Sequence, residues 1–582
     1  MAEIQIKVKH QGKIYDLAVD PESRGEELKY QLFSLTNVEP ANQKILAKKL
    51  VKDDTMLSAL GLKDGTTITL IGNPSAEAMF ERPEKTKFTE DMTEEELAQQ
   101  EGAIPAGLQN TGNTCYANAS LQVLRSIPEL QDALSSYRPA AGGSAPSSSL
   151  FTADALAQHG IGGLGGGSDL TSALRDLYRQ MNATQQGFPP IMFLTTLRQK
   201  FPQFSERSKH GGYAQQDAEE MWSNLIQILR DTLKIEESQE SGSKNWVAKY
   251  LGGKFDATMT CDDAPDEGKT VTTDDFNTLK ANIQGDTNHL REGISLALDE
   301  KIEKNSPTLA RNAIYTRHNR IARLPKYLPI HFMRFFWRKD TQKKAKVLRK
   351  VTFQHEIDLL EFCTDDLRKK LIPIRDKIRE VRKEEEDVER AKKRQKRMRK
   401  EQLEAANGES TVRADEPLQK KKEKEKEREL KAKGPDSEAD IATQKKATFG
   451  GKGTEMGGVE QFKTDEQIDQ ERAQSILSAK KELLSLVHED MKNDPTSNQT
   501  GLYELRGVVT HQGASADSGH YTAYVKKTAT PGKAEDGKWW WFNDDKVQEV
   551  ESEKIETLSG GGETHSALIL LYRAVELPHV SE

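Results

Sequence analysis

Ile4-Gln5-Ile6-Lys7-Val8 alternates apolar and polar residues, the period of a strand with one buried face. After a turn at Gln11-Gly12-Lys13 the alternation resumes over residues 13–19, so the two runs predict a β-hairpin. From Glu26 to Leu35 the apolar positions move to helical spacing, with Leu28, Leu32 and Phe33 near one side. Residues 44–46 and 67–71 predict two further short strands. Periodicity then fades over 75–104, where Pro83-Glu84-Lys85-Thr86-Lys87 and Glu94-Glu95-Glu96 predict a linker. From 105 to 576 the pattern is that of a large globular domain with two interruptions. Residues 138–168 hold so many Gly and Ser that they cannot bury enough apolar area to offset ordering, which predicts a flexible loop. Residues 365–500 carry dense mixed charge with no Gly or Pro over 374–406, which predicts a solvated helical insertion.

Composition narrows the class. The 582 residues suit two to four domains of about 150 residues each. A net charge of −7 is too mild for a chain built to coat nucleic acid, and the basic run 392–397 has glutamates nearby to offset it. No nucleic-acid partner is expected. No window approaches 18 consecutive apolar residues, so no membrane span is expected. The first residues carry charges every second or third position, so no secretory leader is expected either. Three cysteines without a CxxC pair argue against a disulfide scaffold and a four-cysteine zinc site, and neither metal nor cofactor is expected. The chain reads as a reducing-compartment protein of cytoplasm and nucleus.

The densest chemical signal is Gly107-Leu108-Gln109-Asn110-Thr111-Gly112-Asn113-Thr114-Cys115. Glycines and asparagines make a tight loop, and the residues after Cys115 read as a helix. A cysteine at a helix N-terminus meets the positive end of the macrodipole and free N–H groups, which favour a thiolate, the attacking form in cysteine hydrolases. Cys261 and Cys363 lack such surroundings and read as buried structural thiols. A base is needed. Among 12 histidines, His520 stands out because it follows Ser518-Gly519 and enters an alternating strand. Downstream, Trp539-Trp540-Trp541-Phe542-Asn543-Asp544-Asp545 is an aromatic strand with a polar end. Antiparallel pairing of the two strands would place Asn543 or Asp544 beside His520, which is how a third group fixes an imidazole's tautomer. His511 is the weaker competitor.

These motifs resemble a known family. Residues 107–124 look like the cysteine box, and 511–525 with 541–547 like the histidine box, of the ubiquitin-specific proteases. Gln215-Gln216-Asp217-Ala218-Glu219-Glu220-Met221-Trp222 and residues 324–335 resemble two further family motifs, in family order. Over 1–74, the order hairpin, helix, short strand, final strand is that of a β-grasp, and residues 44–46, 57–60 and 67–71 resemble ubiquitin. An N-terminal ubiquitin-like domain joined to this catalytic domain resembles the proteasome-associated subgroup. Residues 346–351 and 559–563 look like that subgroup as well. The resemblance implies an α+β chain: a ubiquitin-like domain, then a papain-like catalytic domain of fingers, palm and thumb. The fingers would here be held by packing, without zinc. It implies hydrolysis of the isopeptide bond after the C-terminal glycine of ubiquitin. Cys115 would be the nucleophile, His520 the base and Asn543 its orienting partner with help from Asp544. Asn110 would donate to the oxyanion. Asp217, Glu220, Gln216 and Tyr521 would bind substrate, the two carboxylates facing ubiquitin's basic tail. Ubiquitin conjugates and the 26S proteasome regulatory particle are the implied partners.

Strand alignment with ubiquitin sets Ile45 and Ile71 on an outward docking patch, with Leu46, Ile68 and Leu70 inward. A register slip of one residue would exchange the faces. Two rival classes remain at this level: a non-catalytic ubiquitin-binding regulator of the proteasome, and a broad thiol protease. Reaction with a ubiquitin C-terminal electrophile would separate them.

Overall fold

The computed structural model describes residues 4–578 apart from 37, 48, 73–91, 101, 140–168, 209–210, 236–243, 339, 341–342, 408–464, 516–517 and 529–534. Nearly all of the Gly/Ser-rich interruption and the middle of the charged insertion therefore lie outside the described residues. Two compact units divide the chain, Met1–Thr93 and Glu94–Glu582.

In the first unit, β1 (Ile4–His10) and β2 (Lys13–Val19) form the hairpin, and α1 (Gly25–Thr36) follows. Strands β3 (Lys44–Leu46), β4 (Leu50–Val51) and β5 (Thr67–Ile71) complete a five-stranded sheet in the order β2-β1-β5-β3-β4. Leu28 and Leu32 of α1 bury against Ile6, Val8, Ile68 and Leu70. The register corrects one expectation. Ile45 lies opposite Leu70, and directly opposed residues share a face. Leu70 faces the core, so Ile45 is buried with it, while Leu46 and Ile71 face outward, 49% and 54% exposed. The outward patch expected at Ile45 and Ile71 is thus built from Leu46, Leu50 and Ile71.

The second unit begins inside the expected linker. Helix α2 (Glu94–Ala98) is held by Thr184, whose hydroxyl donates to Glu94 Oε1 (2.5 Å), and by Gln185, whose amide donates to the Leu97 carbonyl (2.8 Å). The helices α3 (Cys115–Arg125), α4 (Pro128–Ser136), α5 (Leu170–Asn182), α6 (Ile191–Lys200), α7 (Ala218–Thr232) and α8 (Trp246–Tyr250) pack as one layer. Ten of the eleven residues of α3 are buried, so it is the central helix of that layer.

The layer covers one face of an eight-stranded sheet. A second, four-stranded antiparallel sheet is made of β6 (Gly253–Cys261), β7 (Thr270–Phe276), β9 (Asp299–Ser306) and β10 (Arg311–Arg323), ordered β7-β6-β10-β9. The eight-stranded sheet contains β8 (Leu279–Ala281), the fully buried β11 (Tyr327–Phe332), β14 (Glu356–Asp358), β15 (Leu502–Ser515), β16 (Ser518–Lys526), β17 (Trp539–Asn543), β18 (Lys546–Val550) and β19 (Ser566–Ala574). Its main path runs β18-β17-β16-β15-β19-β11-β8. A separate hairpin pairs β12 (Phe335–Arg338) with β13 (Lys343–Lys346). The smaller sheet is held by packing and polar bonds. Phe255 stacks on Phe276 at 4.0 Å, and the Tyr315 hydroxyl donates to Glu267 (2.7 Å).

The charged insertion is less solvated than its composition implies. Helix α9 (Leu290–Leu298) precedes β9, and α10 spans Asp365–Asn407 in one run. Leu371, Ile374, Ile378 and Val381 are buried on one side of α10. The first three join Leu483 of α11 (Asp465–Ser485) in the core on the second face of the large sheet. Their spacing of three, four and three residues is a helical stripe that the surrounding charges hide. Thr496, Asn498 and Thr500 are buried as well, so the start and end of 365–500 belong to the core. Among the described residues no helix is long and apolar enough to cross a membrane.

Candidate active site

Cys115 is the first residue of α3 and is 3% exposed. The loop that delivers it is held by Asn110, whose Oδ1 accepts from the N–H of Gly112 (3.0 Å) and of Thr114 (3.2 Å). Asn113 takes a left-handed conformation, φ 52°, and its side chain donates to the Tyr213 carbonyl (2.9 Å). The loop is thus tied to the segment that precedes α7.

His520 approaches from β16. Its Nε2 lies 2.6 Å from Asn543 Oδ1, at the end of the neighbouring strand β17. A carboxamide oxygen only accepts, so Nε2 carries the hydrogen and Nδ1 is the nitrogen left for the sulfur. The His520 pKa is pushed up to about 9, first by its side-chain contact with Cys115 and, against the cost of burial, by Asn543. The charged imidazolium is therefore the favoured form of the ring beside the sulfur. Gly519 allows the approach: a side chain there would collide with the Gln512 carbonyl and the His511 ring, at φ +132°.

Two further groups touch the thiol. Gln215 Nε2 lies 3.2 Å from Sγ, and the Tyr521 backbone N–H 3.5 Å from it. Gln215 belongs to the motif before α7, in which the family resemblance assigns substrate binding to Gln216, Asp217 and Glu220 instead. The signal was available, because both glutamines precede the cap of α7.

Asp544, the other expected helper of His520, makes its hydrogen bonds elsewhere and helps the imidazolium only as a nearby charge, the last of the causes that raise its pKa. Its Oδ1 accepts from Asn118 Nδ2 (2.8 Å) and its Oδ2 from Asn110 Nδ2 (3.1 Å). The Leu108 N–H donates to its carbonyl (3.0 Å), and its own φ is 53°. Asp544 therefore clamps the cysteine loop and α3 to the β17–β18 turn. Next to it, Gly107 leaves no room for a side chain against the Asp545 backbone. Asn110 spends one amide hydrogen on this clamp.

Asp217 caps α7, accepting from the Glu219 N–H (3.0 Å), and Glu220 follows in the first turn. Both are half-buried and lie just past Gln215. Two expected substrate residues point away. Gln216 donates to the Gln203 carbonyl (2.9 Å), so its amide braces the loop. The Tyr521 ring is buried in the helix-side core, edge-on to His511 at 4.7 Å, because strand alternation puts it with Ala523 and Val525. His511 itself is fully buried, its pKa pushed down to about 3 by burial, then by Lys346. It is a core histidine. Among the described residues no group of three or more His, Cys, Asp or Glu is placed to hold a metal ion.

The two short stretches at 346–351 and 559–563 meet each other beside Arg334. The Val351 N–H donates to the Ser559 carbonyl (2.9 Å), and the fully buried Arg334 guanidinium donates to both the Ser559 (3.2 Å) and Arg349 (2.9 Å) carbonyls. Their role is to hold the end of β11 to the turn before β19.

A buried thiol at a helix N-terminus, an imidazole held by an amide, and amide donors around the sulfur suit acyl transfer through a thioester. Comparison with known proteins agrees. Residues 106–572 match the family described as ubiquitin carboxyl-terminal hydrolase, and residues 4–75 match the ubiquitin family. The chain is 37% identical over 579 residues to Ubiquitin carboxyl-terminal hydrolase 6 of Schizosaccharomyces pombe, covering 99% of both chains. It is 33% identical to Ubiquitin carboxyl-terminal hydrolase 6 of Arabidopsis thaliana, covering 98% of both. It is 27% identical to Ubiquitin carboxyl-terminal hydrolase 14 of Caenorhabditis elegans, covering 98% of this chain and 93% of that one. With the site built on Cys115 and a ubiquitin-like domain ahead of it, the chain belongs to the ubiquitin carboxyl-terminal hydrolase family and is a cysteine-type deubiquitinase.

Proposed function

We propose that this deubiquitinase cleaves the isopeptide bond after ubiquitin's C-terminal glycine on conjugates held at the 26S proteasome regulatory particle, returning ubiquitin for reuse. Cys115 is the nucleophile. Its sulfur adds to the glycine carbonyl, His520 passes its proton to the departing lysine amine, and water hydrolyses the thioester with His520 as base. Asn543 keeps the imidazole in the productive tautomer. Asn110 offers its second amide hydrogen to the oxyanion. Asp217 and Glu220 receive the two arginines of ubiquitin's tail, since half-buried carboxylates favour that pairing.

The observation that carries the chemistry is the 2.6 Å bond from His520 to Asn543, which leaves the other ring nitrogen for Cys115. Support for the proteasome comes from the ubiquitin-like unit. Its outward face exposes Leu46, Leu50 and Ile71 together, and an apolar sheet face on a ubiquitin-like fold is what ubiquitin receptors read. Tethering there raises the effective concentration of enzyme at incoming conjugates. The test uses the full chain. A ubiquitin C-terminal electrophile labels the parent and not Cys115→Ala. A Leu46→Ala, Ile71→Ala double variant hydrolyses a ubiquitin C-terminal amide like the parent but recovers less proteasome on co-purification. Equal recovery by the folded double variant would refute the docking face without touching the catalytic assignment.

A further inference from the structure

The Gln215 side chain is aimed at the reacting sulfur. Its Nε2 is 3.2 Å from Cys115 Sγ and 3.4 Å from the Gly519 carbonyl oxygen. Both neighbours are acceptors, so the amide must present its N–H groups to them. Its Oε1 is enclosed on the far side without a hydrogen-bond partner. The backbone on either side is pinned. Asn113 Nδ2 donates to the Tyr213 carbonyl (2.9 Å), the Ala214 N–H donates to the Glu206 carbonyl (2.8 Å), and Gln216 Nε2 donates to the Gln203 carbonyl (2.9 Å). The Arg198 guanidinium also covers the Tyr213 ring at 3.5 Å. Gln215 thus holds its amide in place before substrate arrives, which is the condition for an electrostatic contribution to catalysis.

We propose that Gln215 is a catalytic residue that donates first to the Cys115 thiolate and then to the oxyanion of the tetrahedral intermediate. As the sulfur–carbon bond forms, the sulfur lone pair becomes that bond and the carbonyl π pair moves to oxygen. Negative charge leaves the sulfur and appears on an atom bonded to the same carbon, within reach of the same amide. A swing of the Gln215 N–H from sulfur to oxygen follows the charge. When the intermediate collapses, the oxygen pair re-forms the carbonyl, the carbon–nitrogen bond breaks, and the amine leaves with the proton from His520. Gln215 returns to its resting contacts. Asn110 is the complementary case: its Oδ1 and one amide hydrogen are engaged in the loop and on Asp544, so it contributes at most its second hydrogen.

The experiment compares Gln215→Ala and the same-sized Gln215→Glu in the full chain, using a ubiquitin C-terminal amide as substrate. Removing one oxyanion donor predicts a fall in kcat of about 100-fold for Gln215→Ala. KM should stay within about threefold. Gln215→Glu sets a carboxylate against the developing charge and should lose at least as much, with a melting temperature equal to the parent. A ubiquitin C-terminal aldehyde forms a tetrahedral adduct with the thiol. Its affinity should weaken about as much as kcat, while affinity for ubiquitin itself stays unchanged. A merely structural role would weaken both ligands alike. Aldehyde and ubiquitin affinities falling together, or kcat of Gln215→Ala within about threefold of the parent, would overturn the proposal.

Discussion

Replacing Asn543 by alanine removes the acceptor of the 2.6 Å bond from His520 Nε2. A partly buried hydrogen bond from a charged imidazolium is worth about 1.5–3 kcal/mol. That corresponds to a roughly 10- to 150-fold smaller fraction of enzyme with the ring aimed at the sulfur, and kcat/KM should fall by a similar factor. The pH profile should move as well. His520 is held up to about 9 by Cys115 first and by Asn543 after it, so near that pH the imidazolium loses the proton that the leaving amine requires. Activity therefore declines on the alkaline side. Without the Asn543 acceptor the imidazolium is less stabilised, its pKa drops, and the alkaline decline shifts to lower pH. Asn543→Asp supplies a charged acceptor, so there the decline shifts to higher pH. The assay is kcat/KM for a ubiquitin C-terminal fluorogenic amide across the neutral-to-alkaline range. An alkaline limb that stays put in both variants, or moves the same way in both, would refute the role given to Asn543.

Three other outcomes can be checked together. Cys115→Ala should abolish amide hydrolysis, whereas Cys261→Ser and Cys363→Ser should retain it; the Cys363 thiol is pushed up to about 12 by burial, so alkylation with iodoacetamide should mark Cys115 in the native protein. Asp217→Asn with Glu220→Gln keeps a helix-capping side chain but removes both charges, so KM should rise tenfold or more, at about 1.5 kcal/mol for a charged hydrogen bond, while thermal melting stays put. Ile45→Ala should cost about 2–5 kcal/mol as a cavity under α1 and unfold the ubiquitin-like unit, which circular dichroism of residues 1–93 would report; a folded unit with unchanged stability would contradict its burial.

Local pattern carried much of the chain. The β1–β2 hairpin and α1 were legible because each side chain's face follows from neighbours two, three or four positions away. The helix beginning at Cys115 was legible from its loop, and the meeting of His520 with Asn543 or Asp544 from two strands whose polar ends coincide under antiparallel pairing, the family resemblance choosing Asn543. What stayed hidden depended on partners far along the chain. Three-residue β3 holds too little alternation to choose between Ile45 and Leu46, and the choice fell to Leu70 across the sheet. Adjacent Gln215 and Gln216 are the same residue type, and only the anchors at Gln203, Glu206 and Asn113 send one to the sulfur and the other into the loop. Asp544 reads as a second helper of His520, and only the fold shows that its oxygens bridge Asn110 and Asn118, more than 400 residues away. The apolar stripe of α10 was present among its charges, but a stripe becomes a core only when a sheet face and α11 arrive to cover it. Hydrophobic periodicity assigns elements because it is a short-range property of the backbone. The direction of a single polar side chain is set by whichever distant donor or acceptor the folded chain leaves within reach of it.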